Sequence, residues 1–433
     1  MSLILTVITP LAAVLATGAP GSTSSTQPAS ATDHVVWQRS AGQVVIWDAR
    51  PELGIGSHGL SQEHINLIKQ LGIRLVRVTL YWNRIESGKA GQCDAERLKA
   101  FDELVARAKA NGIALLLVVH APPGELDRYE RRAEAYARFS CFVGAMVRRY
   151  PSVLYWELFN EMDVAFTKIF GAQQKDVPMR RRGHLYAEML KQAYPVIKAA
   201  NPKAWVLTGG MSDFREFPEG IYEAGGRAFF DIMNLHTYGV PVLWSFVERG
   251  RILREIMRAH GDVDKPLWNT EFGIDAGNIV GAWGYPHAQT PAKDDAATFD
   301  ELHLEQWKAC IEWNAKHRLY QKILPYQLHA HNERDDDGKI RQTARLPAGH
   351  TIDDYGFGIL RRDGKIPRPT YEWLAKTRVN ADILRAPTRR LSIEYVPRFT
   401  GTPAGGVRPK WHDLVRLPDL TLDSLVPTVL EMK

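Results

Sequence analysis

Two short runs carry the side chains best suited to chemistry: WELFNE, ending at Glu161, and WNTE, ending at Glu271. Each closes a β-prone stretch with a glutamate, and 271 − 161 = 110 residues separate the two. Brought face to face, two carboxylates in unequal surroundings do what cleavage of a glycosidic bond needs. One donates a proton to the leaving oxygen, and the other, ionised, attacks or stabilises the sugar cation. A third stretch ends in His236-Thr237-Tyr238, and a fourth carries Arg77 and runs into Tyr81-Trp82-Asn83. Alternation along that fourth stretch puts Val76, Val78 and Leu80 on one face and Arg77 and Thr79 on the other. An interior arginine must find a carboxylate. Both Glu157, deeper in its stretch, and Glu271 are open as its partner. His120 and Gln327, in two further stretches, complete the candidate substrate-contacting set.

These residues need a scaffold that collects strand ends at one place. Eight β-prone runs are spaced along the chain: 53–58, 73–81, 113–120, 153–161, 204–210, 231–238, 266–273 and 322–330. Between them lie stretches with apolar spacing near 3.6, such as 61–72, 94–112, 133–150 and 182–201, several closed by Asn-Gly, Leu-Gly or Asn-Pro. Strands alternating with helices pair in parallel through right-handed crossovers. Eight units predict an α/β fold of the closed (β/α)8 TIM-barrel type, with its active site at the carboxyl ends of the strands. The turn GIGSHG after the first run lacks the helix and the downstream acid of a dinucleotide site, so no nucleotide cofactor is implied.

Composition agrees with a packed protein: 433 residues, 45% hydrophobic and 24% charged. The net charge of +6 comes without a dense basic run, which argues against a nucleic-acid partner. Three cysteines (Cys93, Cys141, Cys310) are too few and too scattered for a disulfide framework or an all-cysteine zinc site. Residues 3–16 form an apolar run followed by a Gly/Ser/Thr/Pro stretch, so 1–32 read as a signal peptide or anchor plus linker. Export to the periplasm or the outside follows, with no membrane span once the signal is removed. The barrel is expected over 33–380. Residues 381–433 carry six prolines (387, 397, 403, 409, 418, 427) and are expected to form an extended tail or a small β appendage.

At WELFNEMD (156–163) and WNTEFG (268–273) the chain resembles clan A glycoside hydrolases, retaining (β/α)8 enzymes whose strand four ends in Asn-Glu and strand seven in Glu. VRVTLYWNRIE (76–86), NLHTYG (234–239) and YGFGILRRDGKIPRPTYEWL (355–374) fit the same pattern, so the likeness spans about residues 50–378. It is nearest to family 39 and related bacterial exopolysaccharide endoglycosidases, with family 5 next. The resemblance implies Glu161 as general acid/base and Glu271 as nucleophile. It implies Asn160 as a donor to the sugar 2-hydroxyl, Tyr238 as a donor to the nucleophile, and Arg77 and His236 as residues that orient the carboxylates. On this reading Glu161 holds a proton near neutral pH because the charge of Glu271 raises its pKa. The sequence departs from the pattern at Met162, where proline is commonest, and in YQLHAHN (326–332), which lacks the tryptophan that many family 5 members place under the reactive sugar.

Trp82, Trp244 and Trp283, in loops after strands two, six and seven, are candidate platforms for apolar sugar faces, Trp283 with Tyr285 foremost. A zinc-dependent barrel built on His236, His329 and His331 would need an early His-x-His or a carboxylate ligand set, and no metal is expected. The non-enzymatic alternative is a carbohydrate-binding barrel or a scaffold subunit of a polysaccharide assembly. Retention of both glutamates argues against it.

Overall fold

The computed structural model describes residues 35–38, 44–47, 52–86, 93–123, 129–170, 174–239, 242–274, 296–329, 357–361 and 366–377. The proposed leader (1–32), the tail (381–433), Trp283, Tyr285 and His331 lie outside them. The chain divides into two compact units, Met1–Asp48 and Ala49–Lys433. In the first, Val35–Gln38 pairs antiparallel with Val44–Trp47. The second unit, Ala49–Lys433, carries the barrel strands.

The barrel strands are β1 (Glu52–Leu53 and Ile55–Gly56, two halves around Gly54), β2 (Leu75–Tyr81), β3 (Ala114–His120), β4 (Tyr155–Leu158), β5 (Trp205–Thr208), β6 (Met233–Thr237), β7 (Leu267–Phe272) and β8 (Lys322–Ile323). β1 to β5 pair in sequence and in parallel, and so do β6, β7, β8 and β1. A parallel bridge from Leu207 to Ile232 joins β5 to β6 and closes the ring. Each of the eight runs expected from sequence contributes a strand. β8 is the shortest because Pro325 has no N–H to give the ladder.

Helices α1 (Gln62–Gln70), α2 (Ala95–Ala110), α3 (Arg132–Arg149), α4 (Met162–Phe170), α5 (Met179–Ala200), α6 (Glu216–Glu223), α7 (Val242–Ala259), α8 (Ala296–His317) and α9 (Pro369–Thr377) follow the strands. Their starts are written locally. Ser61 accepts from the His64 N–H at α1 and Asp94 from the Arg97 N–H at α2. Outward strand residues such as Val76, Val78, Leu117 and Val119 pack with helix residues such as Phe139 and Val143 in the main core. Inside the ring a second cluster, Leu75, Leu116, Leu207, Ile232, Trp268 and Leu324, plugs the amino-terminal end. This plug makes the barrel solid, so the next inward layer above it is the first that can be polar and reach the mouth.

Candidate active site

That layer begins with Arg77 on β2, 5% exposed. Its Nε and Nη2 donate to the two oxygens of Glu157 on β4, both at 2.8 Å. Its Nη1 donates to Glu271 Oε1 at 2.5 Å, and Nη2 also reaches Asn160 Oδ1 at 2.6 Å. The two partners left open by the sequence are both used. Burial opposes the charge on Arg77, but Glu157 and Glu271 outweigh it and keep the guanidinium firmly protonated. Replacing Arg77 by Leu would leave two buried carboxylates without their cation. A loss of about 3–5 kcal/mol of stability is expected, to be read as a lowered midpoint of chemical unfolding.

Asn160 and Glu161 owe their directions to an irregular backbone. β4 ends at Leu158, and Phe159 and Glu161 then adopt left-handed φ of 67° and 47°. Such angles are costly for residues with a Cβ and persist only where the surroundings fix them. Here the Phe159 N–H donates to Val119 O, the Asn160 N–H to His120 Nδ1 and the Glu161 N–H to Gly210 O, at 2.9, 3.2 and 2.9 Å. Strict alternation would have grouped Phe159 with Glu157. Instead Phe159 joins the outer core against Phe139.

Glu271 reaches the interior through a second irregularity. In the β6–β7 ladder Asn269 pairs with Leu235 but Glu271 pairs with His236, a register shift that signals a bulge. Thr270 and Glu271 therefore both contact His236, at 3.1 Å (Nε2 to Oγ1) and 3.6 Å (Nδ1 to Oε2). The Tyr238 hydroxyl donates to Glu271 Oε2 at 2.6 Å. Burial above all, and then Glu271, push the tyrosine pKa well above its ordinary value, so it stays a donor.

Glu161 Oε1 receives two donors, His236 Nδ1 at 2.8 Å and Ser212 Oγ at 3.0 Å. An oxygen of Glu161, one of Glu271 and a His236 nitrogen all lie within 4.8 Å of one another. The mouth stays open to these groups: the Glu161 side chain is 22% exposed and that of Glu271 11%. Gly210 permits the arrangement, since a Cβ there would collide with the His236 ring. Glu161, His236 and Glu271 are the kind of trio that ligates metals, but most of their ligand atoms are engaged. Arg77 and Tyr238 hold both oxygens of Glu271, and His236 Nδ1 is spent on Glu161. His329 instead packs its ring 4.7 Å from that of His64.

Opposed influences act on the protons of this pair. Burial raises the Glu161 pKa, but the hydrogen bond and charge of His236, with Ser212 and Arg77, bring it below the ordinary value. Burial lowers that of His236, but Glu271 and Glu161 raise it above 6.5. These directions favour an ionised Glu161 beside a protonated imidazole, joined by the Nδ1–Oε1 hydrogen bond. kcat/KM should then fall on the alkaline side with an apparent pKa above 6.5. Because the folded pKa is raised, the pair's contribution to stability is complete below about 6.5 and is lost as pH rises through the folded value. Replacing His236 by Gln should displace the alkaline limb and flatten that stability slope, measured by pH–rate profiles and pH-dependent unfolding.

Of the other sequence candidates, His120 caps the site by accepting from Asn160. Gln327 is buried at 3% exposure and joins the Phe357–Ile359 segment through its backbone. Trp82 is corrected: it is fully buried, its indole N–H bonded to Glu86 at 2.8 Å and its ring 5.8 Å from both Phe139 and Phe142. The helical turn that starts at Trp82 directs it under α3, away from the cleft. Trp244, at the start of α7, is 38% exposed. Sequence reasoning missed Ser212, Thr270, Asp163 and Tyr326. Tyr326 lies just past β8, donating to or accepting from His58 at 2.7 Å and edge-on to Phe357, which also touches Tyr238. Tyr326 is the aromatic residue that the run YQLHAHN supplies just past β8, and its signal was the Tyr of that run itself.

A parallel (β/α)8 barrel with paired glutamates at the ends of β4 and β7 defines a clan A glycoside hydrolase of the retaining type, acting on carbohydrate. The chain matches the family description Cellulase (glycosyl hydrolase family 5) over residues 42–316, and it belongs to that family. No curated protein sequence matches it. Among solved structures it is similar to a family 39 glycoside hydrolase from Bacteroides cellulosilyticus WH2, at 18% identity and TM-score 0.52, covering 80% of this chain and 69% of that one. It is also similar to a GH5_18 from Bifidobacterium longum subsp. infantis, at 15% identity and TM-score 0.53, covering 76% and 78%. These likenesses show the fold.

Proposed function

We propose that the chain cleaves a β-linked oligo- or polysaccharide internally, by double displacement, with Glu271 as nucleophile and Glu161 as general acid/base. The observation that carries this is that an oxygen of Glu161 and one of Glu271 approach to within 4.8 Å across the mouth, which suits the short carboxyl spacing, roughly 5–5.5 Å, of a retaining enzyme. Glu271, ion-paired with Arg77 and hydrogen-bonded by Tyr238, attacks the anomeric carbon. The aglycone oxygen takes a proton from Glu161 and leaves it as a carboxylate. The glycosyl ester removes the Glu271 charge, and Glu161 then accepts a proton from water, which attacks the ester carbon and returns the sugar with retained configuration. Asn160, whose Oδ1 is committed to Arg77, has its amide donors left for the sugar 2-hydroxyl. Trp244 at the mouth supports an aromatic wall for a longer chain.

The test is a panel of β-linked glycans, exopolysaccharides included, with product masses. Oligosaccharides of several lengths at early times are expected, and monosaccharide alone would reassign the enzyme as exo-acting. The apolar run 3–16 supports export, and among the described residues no helix is long and apolar enough to cross a membrane. Recovery of the intact amino terminus in a cytoplasmic fraction would contradict export.

A further inference from the structure

Asp163 lies two residues beyond Glu161, in the first turn of α4, and is fully buried. The mechanism above gives it no part. Its Oδ2 accepts the backbone N–H groups of Ser212 (2.8 Å) and Asp213 (2.5 Å), the turn that follows β5. Its own carbonyl is held by Arg182 of α5 at 2.6 Å. The turn is further fixed by Asp213, which accepts the Arg215 and Phe217 N–H groups at the start of α6. The segment so clamped carries the Ser212 hydroxyl, and that hydroxyl donates to Glu161 Oε1.

The consequence concerns which oxygen of Glu161 reaches the substrate. Ser212 and His236 both aim at Oε1, and among the described residues no donor is aimed at Oε2. Two donors on one oxygen fix the carboxylate's rotation and leave the other oxygen to the glycosidic bond. Resting on the reading of Glu161 as acid/base, we propose that Asp163 is a positioning residue: by clamping the Ser212–Asp213 turn it keeps the Ser212 hydroxyl on Oε1, so that Oε2 is the oxygen presented to the leaving group.

A buried aspartate that merely staples two loops would give the same backbone contacts, and only chemistry separates the two roles. The Asp163 carboxyl faces Glu161 next to its own helix, Asp213 in the clamped turn, Tyr186 on α5 and Arg249 on α7. Burial, above all, and the charge of Glu161 push its pKa up to about 6. The relation is reciprocal, so the charge of Asp163 helps Glu161 take up the proton it gives to the leaving group.

The experiment uses 2,4-dinitrophenyl and phenyl β-glycosides of the sugar identified by the glycan panel. Ser212→Ala should lower kcat/KM on the phenyl glycoside about tenfold, the scale of one lost hydrogen bond to a charged group, and leave the dinitrophenyl glycoside within about twofold, since that group departs without a proton. Asp163→Ala should show the same selectivity, and adding Ser212→Ala to it should cost nothing more on the phenyl substrate, because both act through one contact. Asp163→Asn keeps an oxygen for the two N–H groups and should restore the phenyl rate, while its alkaline limb moves to lower pH with the charge gone. Equal losses on both glycosides, or an unchanged Ser212→Ala, would overturn the proposal, and Ser212→Ala decides it alone if Asp163→Ala fails to fold. Glu161→Ala is the control: leaving-group dependence there with none in Ser212→Ala sinks this inference only, and none in Glu161→Ala sinks the site reading beneath it.

Discussion

Replacing Glu271 with Gly is expected to abolish turnover of every substrate, by on the order of 10⁴-fold or more if it resembles nucleophile loss in other covalent mechanisms. No neighbour can take over. Glu157 is bound by two Arg77 nitrogens deeper in the barrel and is completely buried, and Glu161 Oε1 is engaged by His236 and Ser212. The fold should survive, because Arg77 keeps Glu157 and Asn160 when Glu271 is gone. The space vacated by the carboxylate faces the anomeric carbon, so added azide should restore turnover of activated glycosides and yield the inverted glycosyl azide. A retained azide from this variant would exchange the two assignments. Undiminished activity would refute the covalent mechanism.

Replacing Glu161 with Ala should divide substrates by leaving group. Dinitrophenyl glycosides need no proton and should still form the glycosyl-enzyme, whereas natural glycans, whose departing alkoxides do, should lose on the order of 10²–10⁴-fold, the range ascribed to general acid catalysis. Without its base the second step becomes limiting, so a burst of released phenol followed by slow turnover is expected. Azide, which needs no base, should accelerate that step and give the retained product. The same change strips His236 of its 2.8 Å hydrogen bond to Glu161, while Glu271 stays 3.6 Å away, and the alkaline limb assigned to this pair should disappear with it. Uniform loss across all leaving groups would mean that Glu161 does not act as the acid.

Much of this site could be read along the chain. The period-two alternation of 75–81 placed Arg77 inside the barrel, and β-prone runs ending in Asn160-Glu161, His236 and Glu271 marked the strand ends that a (β/α)8 barrel gathers at one mouth. Those are local properties, set by residue type and by the two faces of a strand. Alternation fails where the backbone leaves the regular strand, and it does so at both glutamates. Left-handed turns at Phe159 and Glu161 end β4, and the bulge between Asn269 and Glu271 turns the second carboxylate inward, whereas strict alternation from Trp268 would have faced it to the helices. Each irregularity is held by partners distant in sequence: Val119, His120 and Gly210 for the first, β6 for the second.

Trp82 shows the same limit from the other side. Its place after β2 suggested a sugar platform, but the direction of one helical turn, and the Phe139 and Phe142 rings waiting on α3, sent it into the core. The sequence by itself determined the barrel, its strand order, the two carboxylates and their interior cation, because these follow from patterns repeated along the chain. Only the tertiary structure decided which oxygen of Glu161 takes both donors, that His236 and Glu161 share a hydrogen bond, and that Ser212 and Asp163 stand beside them. Those outcomes depend on distances between groups tens to hundreds of residues apart, where burial and neighbouring charge set each protonation state, and no local pattern encodes them.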